Sequence, residues 1–293
     1  IVLAMDNLDK VQKGDILVTI MTTPDFVPAM QKASAIITDH GGMTAHASIV
    51  SREMGIPCVV GTKNATHMLK DGDIVTVDGT AGKVFKGALK LAEHNETQVV
   101  SACGISTKTK VKVIMDLPEF AERAAETCAD GIGLLRIEGI IASGRIHPEK
   151  YLHDGKLDEY TDLIYEGIKK IASHFRDKPV WVRTSDIRTD EYRNLEGGSD
   201  EPAESNPMIG WHAIRRSLDE PELLKAEFAA LKKLKDEGFD NLGVMIPFVI
   251  SIDELIKARD ILKEVGLEPR KDIAFGIMVE TPAAVLLIED FCK

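Results

Sequence analysis

From Val111 onward, the chain alternates between short apolar runs typical of strands and longer amphipathic runs typical of helices. Five such pairs follow one another, and their apolar runs are VKVIMD, GIGLLR, PVWVRT, NLGVMIP and IAFGIMVE. Consecutive β-α pairs predict parallel strands joined by right-handed crossovers. A doubly wound sheet and an incomplete (β/α)8 barrel of the TIM type both fit this pattern.

Charged side chains end three of these apolar runs. Arg136 follows GIGLL, Arg183 ends PVWVRT and Glu280 ends IAFGIMVE. A guanidinium group binds carboxylate or phosphate through two hydrogen bonds, and a carboxylate is a ligand that magnesium accepts. Each residue alone could form a surface ion pair, but three at equivalent strand ends indicate a site. Because barrel enzymes carry their sites at the carboxyl ends of the strands, this placement favours a truncated barrel over residues 111–293.

Residues 1–91 have a different pattern, in which short β-like runs alternate with tight turns. This pattern predicts a compact, β-rich α/β domain. After Gly41–Gly42, one helix is expected to begin near His46 and to end at Gly55. His46 would then lie in the first helical turn, where backbone N–H groups favour a bound anion and a neutral imidazole can attack phosphorus. An ordinary turn followed by an ordinary histidine remains the alternative.

Residues 92–110 are polar and show little periodicity, which predicts a linker between the two domains. A flexible tether and a short ordered connector are both compatible with this composition. The chain ends inside an apolar run, AAVLLIEDFCK, and we interpret it as a central fragment of a longer polypeptide.

Charge and composition exclude some classes of protein. The net charge of −11 without a basic stripe argues against nucleic-acid binding, and no apolar run is long enough to suggest a membrane span. The four cysteines have neither disulfide-framework nor zinc-ligand spacing. They predict reduced, mostly buried thiols in a cytoplasmic protein.

The segment GGMTAHASIVSREMGIPCVVGT (41–62) resembles the phosphohistidine segment of the phosphoenolpyruvate-utilising enzymes. The resemblance continues through GLLRIE, through VRTSDIRTDEYRNLEGG with the EPAESNPMIGW that follows it, and through MVETPAA. It covers essentially the whole chain. It implies a swivelling phosphohistidine domain (1–91), a linker and a phosphoenolpyruvate/pyruvate-binding barrel with about five of its eight strands present.

The resemblance implies a role for each matching residue. His46 would carry a phosphoryl group between sites, and Thr44 would be the target of a regulatory kinase. Arg136 and Arg183 would bind pyruvate or phosphoenolpyruvate. Glu280 would bind both Mg²⁺ and substrate.

The loop after Arg183 is most similar to the branch of the family that makes phosphoenolpyruvate from pyruvate, ATP and water, with AMP and phosphate as co-products. ATP would bind a domain absent from this chain, so the fragment alone is not expected to perform the whole reaction, and a homo-oligomer is compatible with the resemblance. One alternative is another phosphohistidine phosphotransferase, of the phosphate-dependent dikinase or sugar-phosphotransferase type. A non-catalytic phosphoenolpyruvate-binding chain and a magnesium-dependent carbon–carbon lyase are the others.

Two departures from the family pattern stand out. Relatives commonly have arginine after NPMIGW, whereas this chain has His212, so an anion contact is expected to be lost or to pass to Arg215 or Arg216. The second departure is larger. The family's second magnesium carboxylate and its cysteine proton donor lie on later strands, which this chain does not include.

Overall fold

The computed structural model describes residues 10–89, 103–105 and 107–293. The chain divides into two compact units, Ile1–Val100 and Ser101–Lys293. The predicted linker (92–110) lies mostly outside the described residues, and it stays a prediction.

The first unit contains a three-stranded parallel sheet and a separate antiparallel hairpin. The sheet has the order β1-β2-β3, and β4 pairs with β5. The strands are β1 (Ile16–Thr19), β2 (Ala35–Thr38), β3 (Cys58–Val59), β4 (Val75–Asp78) and β5 (Lys83–Lys86). The helices are α1 (Val27–Met30), α2 (His46–Met54) and α3 (Ala65–Met68). These short strands agree with the β-rich α/β domain that the sequence predicts.

Helix α2 begins and ends where its sequence predicts. His46 is its first residue, and Gly55 ends it in the left-handed conformation with φ of 72°. Its apolar face buries Ala47, Val50 and Met54. The imidazole of His46 therefore lies at the helix end that carries the unpaired N–H groups.

All strands of the second unit form one parallel sheet with the order β10-β9-β8-β7-β6. They are β6 (Val113–Met115), β7 (Ile132–Arg136), β8 (Val180–Arg183), β9 (Leu242–Ile246) and β10 (Ala274–Ile277). Each strand pairs with the next strand in sequence, so every crossover advances in the same direction. A doubly wound sheet reverses direction at a switch point, so this order confirms the barrel type of winding.

The crossovers are helical, and the longest helices are α7, α9 and α10. The helices of this unit are α4 (Ala121–Glu126), α5 (Glu138–Ser143), α6 (Pro148–His153), α7 (Leu157–Ser173), α8 (Ala213–Asp219), α9 (Pro221–Asp236), α10 (Ile252–Glu264), α11 (Pro282–Leu286) and α12 (Ile288–Phe291). The stretch after β7, which its sequence suggests is irregular, contains the two short helices α5 and α6. Across the described part of the chain, no helix combines the length and the apolar character that crossing a membrane requires.

The two faces of the second sheet differ in burial. On β8, Val180 and Val182 are buried in the core beneath the helices, whereas Trp181 and Arg183 lie half-buried on the opposite face. Trp181 reaches across the sheet to Gly243, its register partner on β9. A Cβ atom on Gly243 would lie 2.7 Å from the indole ring, so glycine is required there.

The cysteine prediction is wrong. Cys103 and Cys128 form a disulfide, while Cys58 is half-buried and Cys292 is exposed. The spacing argument failed because the chain separation of 25 residues carries no framework signature, and only the fold brings the two thiols together.

Candidate active site

His46 lies at the amino-terminal end of α2, and its ring is held from the segment after β1. The buried hydroxyl of Thr22 is 2.9 Å from His46 Nδ1. When the Thr22 oxygen accepts the Nδ1–H hydrogen bond, the imidazole lone pair lies on Nε2. This tautomer makes Nε2 the nucleophilic nitrogen, beside a helix end that favours the anion it would gain.

The turn before α2 requires glycine at one position. Gly41 has φ of 121°, and a Cβ atom there would lie 3.0 Å from the Cβ of Ala45. Thr44 lies in this turn and is exposed. Its hydroxyl is accessible to a modifying enzyme, and its modification stays a prediction.

In the second unit, Arg136 and Arg183 are neighbours. They are the last residues of β7 and β8, and they are register partners across these parallel strands. Asp116 directly follows β6, so three charged side chains line adjacent carboxyl ends of the sheet. The prediction that the two arginines share one mouth of the barrel agrees with this register.

Carboxylates hold both arginines. Arg136 Nε lies 3.1 Å from Asp116 Oδ1. The two terminal nitrogens of Arg183 contact Glu138 Oε1 at 2.8 Å and Asp186 Oδ2 at 3.1 Å. Glu138 Oε1 also accepts the backbone N–H of Asp186 at 2.7 Å, which ties the loop after β8 to the start of α5. Each terminal nitrogen of Arg183 carries a second N–H with which it can donate to a substrate oxygen.

Burial and neighbouring charges shift the proton affinities of this cluster. Burial raises the pKa of Asp116 to about 6, although the Arg136 charge lowers it and the Glu138 charge raises it further. For Arg183, burial lowers the pKa, but the charges of Glu138 and Asp186 outweigh burial and raise it. Arg183 therefore stays cationic, while Asp116 takes up a proton under mildly acidic conditions.

Glu280 does not end a strand as the sequence suggests. Strand β10 ends at Ile277, and Glu280 lies exposed in the segment that leads to α11. Its Oε1 accepts the backbone N–H of Phe248 at 2.7 Å, and Phe248 adopts a positive φ of 55°. An exposed carboxylate with one oxygen fixed in this way is suited to give a hard cation one ligand. Magnesium accepts a single protein carboxylate together with substrate oxygens, so this donor fits that ion.

His212 is buried and contacts two acceptors. Its Nδ1 lies 2.8 Å from Asp186 Oδ1, and its Nε2 lies 2.7 Å from the carbonyl oxygen of Met208. Its ring packs on Phe248, with 4.5 Å between the ring centroids. His212 therefore links the partner of Arg183 to the residue that holds Glu280.

Arg216 does not take over an anion contact, because it pairs with carboxylates elsewhere. Its Nη2 lies 2.7 Å from Glu149 and 2.5 Å from Glu201, and its Nε lies 3.4 Å from Glu220. His147 Nε2 contacts the same Glu201 at 2.7 Å. This second cluster ties α6 and α8 to the long loop after β8. Because one guanidinium pairs with three carboxylates of different segments, we interpret the cluster as a structural ion-pair network.

Three residues that orient the arginines were assigned no role from sequence: Asp116, Glu138 and Asp186. Asp116 directly follows an apolar strand, which is a usable signal in a barrel. The contacts of Glu138 and Asp186 depend on loop conformation, and their sequence positions alone do not indicate a partner. For Arg136, Arg183 and Glu280, the roles in substrate binding remain predictions.

Comparison with known proteins agrees with this arrangement. Residues 11–82 match the mobile domain of the PEP-utilising enzymes, and residues 91–293 match their PEP-binding domain. The chain belongs to the phosphoenolpyruvate-utilising enzymes. The candidate phosphohistidine, His46, thus lies in the family's mobile domain. The arginine cluster, formed by Arg136, Arg183 and their carboxylate partners, lies in its PEP-binding domain.

Individual members of this family are similar over the whole chain. The probable phosphoenolpyruvate synthase of Methanothermobacter thermautotrophicus is 54% identical over 100% of this chain and 43% of its own length. The phosphoenolpyruvate synthase of Pyrococcus furiosus is 54% identical over 98% of this chain and 36% of its own length. The chain therefore spans about two fifths of the length of these relatives.

Proposed function

We propose that this chain is the phosphoryl-carrying and pyruvate-binding part of an enzyme that makes phosphoenolpyruvate from pyruvate, ATP and water. AMP and phosphate are the co-products, and ATP binds a part of the enzyme outside this chain. The observation that carries the proposal is the Thr22–His46 contact at the start of α2, a helix end suited to a phosphoryl group. When the Thr22 oxygen accepts from Nδ1–H, this contact leaves the lone pair of His46 on Nε2. The high identity to proteins named phosphoenolpyruvate synthase supports the choice of reaction.

In this proposal, His46 Nε2 receives a phosphoryl group and passes it to pyruvate. Arg136 and Arg183 bind the substrate carboxylate and the transferring phosphoryl oxygens, since guanidinium groups neutralise the charge that develops there. A base on the part of the enzyme outside this chain takes a methyl proton from pyruvate, and the enolate forms. The enolate oxygen forms a bond to phosphorus while the N–P bond breaks, and the imidazole is released.

In this proposal, the carboxylate of Glu280 would be a ligand of a magnesium ion. The ion would polarise the keto oxygen and stabilise the enolate. Glu280 is suited to this role because the Phe248 N–H fixes one of its oxygens and thereby orients the carboxylate. We further propose Thr44 as a regulatory phosphorylation site, the cytoplasm as the location of the enzyme and a homo-oligomer as its assembly.

The test is transfer of label from [³²P]phosphoenolpyruvate to the full gene product with Mg²⁺. We expect acid-labile, base-stable label on the native protein and none on His46→Ala. His40→Ala, which removes an exposed histidine of the same unit, is the matched control and should label normally. Absence of label from the native protein would refute the phosphohistidine relay.

The co-substrate is tested separately with ATP and pyruvate. Release of orthophosphate without added phosphate is the expected result. Formation of pyrophosphate that depends on added phosphate would instead favour the phosphate-dependent branch of the family.

A further inference from the structure

Both ring nitrogens of the buried His212 face hydrogen-bond acceptors. The carbonyl oxygen of Met208 can only accept, so His212 Nε2 carries a proton. The Asp186 carboxylate also accepts, and its other oxygen already contacts Arg183. A neutral ring with its proton on Nε2 would direct the Nδ1 lone pair at Oδ1 of Asp186. The imidazolium form donates to both acceptors and removes this repulsion.

We propose that His212 is a positioning residue whose proton fixes Asp186 against Arg183, so that anionic substrate binds more tightly when His212 is protonated. This inference rests on the proposed function, because it assigns Arg183 to substrate binding. Both ring nitrogens of His212 contact protein acceptors, so neither is available to bind an anion. It therefore acts through Asp186 and makes no direct contact with an anion.

The consequence for Arg183 follows from its partners. Glu138 and Asp186 each hold one terminal nitrogen, and together they fix the plane of the guanidinium group. In the neutral form of His212, the Nδ1 lone pair repels the Asp186 carboxylate. Arg183 then keeps Glu138 as its one well-oriented carboxylate partner in this cluster. Its guanidinium group is less firmly oriented to bind a substrate carboxylate or phosphoryl group.

Other charged groups surround His212 and enter any pH dependence. Glu204 accepts the N–H of Trp211, the residue before His212, at 3.0 Å. Arg215 stacks on the same Phe248 ring, with its guanidinium carbon 5.0 Å from the ring centroid, and Glu280 accepts the Phe248 N–H. The titration of Asp116 and that of the ligand itself also contribute. All of these contributions are common to the native protein and to variants at His212 or Asp186, so the comparison between proteins cancels them.

The test measures phosphoenolpyruvate affinity at pH 6.5 and pH 8.5 by titration calorimetry, with Mg²⁺ and the full gene product. All proteins carry His46→Ala, which blocks phosphoryl transfer. We expect affinity for the otherwise native site to fall by about tenfold at the higher pH, the loss typical of one charge-assisted hydrogen bond. His212→Gln lacks the two ring N–H donors. It should bind phosphoenolpyruvate weakly at both pH values and show no pH effect.

Asp186→Asn provides the decisive variant, because it suits the neutral histidine. Its amide N–H can donate to the Nδ1 lone pair while its oxygen accepts from Arg183. We expect this variant to bind with similar affinity at both pH values and more tightly than the otherwise native site at pH 8.5. His153→Gln removes an exposed histidine of the same unit and should reproduce the native pH effect. Melting temperatures at both pH values show whether each variant is folded. If His212→Gln is unfolded, Asp186→Asn alone provides the test.

The outcomes separate the inference from the function on which it rests. A pH effect that persists unchanged in Asp186→Asn and in every folded His212 variant would overturn the positioning role, as would its absence from the otherwise native site. Failure of the otherwise native site to bind phosphoenolpyruvate at either pH would overturn the proposed substrate site, and the inference with it.

Discussion

Glu227 offers a test of how strongly burial raises the pKa of a carboxyl group beside the site. It lies on α9 with 3% of its surface exposed. Its Oε1 accepts the Tyr160 hydroxyl at 3.2 Å, and its Oε2 accepts the Ser185 N–H at 3.1 Å, two residues beyond Arg183. Burial raises the pKa of Glu227 from 4.5 to about 7, against the opposing effect of its hydrogen bonds.

This pKa sets the sign of the pH dependence. Because the folded protein holds the proton more tightly than the unfolded chain, the stabilisation is complete below about pH 4.5 and is lost as pH rises through about 7. The rise from 4.5 to about 7 corresponds to about 3 kcal/mol at about 1.4 kcal/mol per pKa unit. Glutamine has a similar shape but no titration. We therefore expect Glu227→Gln to gain about 2–3 kcal/mol in unfolding free energy relative to the native protein between about pH 5 and pH 8.

Urea unfolding followed by circular dichroism between about pH 5 and pH 8 measures this difference. Glu222→Gln, which removes an exposed carboxyl group from the same helix, is the matched control. A Glu227→Gln variant whose stability keeps a constant offset from the native protein at every pH would refute the reasoning. Such a result would mean that the two hydrogen bonds hold Glu227 ionised in spite of its burial.

Two further predictions concern the first unit and the disulfide. Thr22→Val should slow phosphoenolpyruvate-dependent labelling of His46 by about tenfold, because the ring loses the hydroxyl group that holds its Nδ1, and Thr22→Ser should restore the rate; equal rates in all three proteins would contradict this role. Cys103→Ser should lower the free energy of unfolding by about 3 kcal/mol, since the Cys103–Cys128 bridge closes a loop with a separation of 25 residues. Urea unfolding with and without reductant, together with thiol counting, measures this effect, and a native protein that is equally stable in reductant would contradict it.

The strands and helices of both units could be predicted because their apolar spacing reflects local burial. Strand order could not be obtained in this way, since a doubly wound sheet and a barrel share the same β-α period. The position of Arg136 and Arg183 at strand ends provided the deciding argument, and their register in the structure agrees with it. The sequence predicts that Glu280 ends its strand, but β10 ends earlier, at Ile277.

The contacts that orient the site were beyond sequence reasoning. Glu138 and Arg183 are 45 residues apart, and only the fold brings them together. His212 was a recognisable departure, but the sequence suggested a lost or displaced anion contact. In the structure, His212 contacts Asp186 and the carbonyl group of Met208, and the loss of an anion contact stays a prediction.

The charge balance of the arginine cluster favours a metal-assisted reaction. Around the two guanidinium groups of Arg136 and Arg183, the carboxylates outnumber the cations: Asp116, Glu138, Asp186 and Glu280. Such a cluster is preorganised, because every described arginine–carboxylate pair exists before substrate arrives, but it offers little net attraction to a multiply charged anion. A divalent cation at Glu280 would supply the missing positive charge beside the reacting oxygen, where its effect on the enolate is greatest. The carboxylates therefore fix the geometry of the arginines, but they also cancel the positive charge of these side chains. The proposed magnesium ion would restore the electrostatic attraction for the anionic substrate.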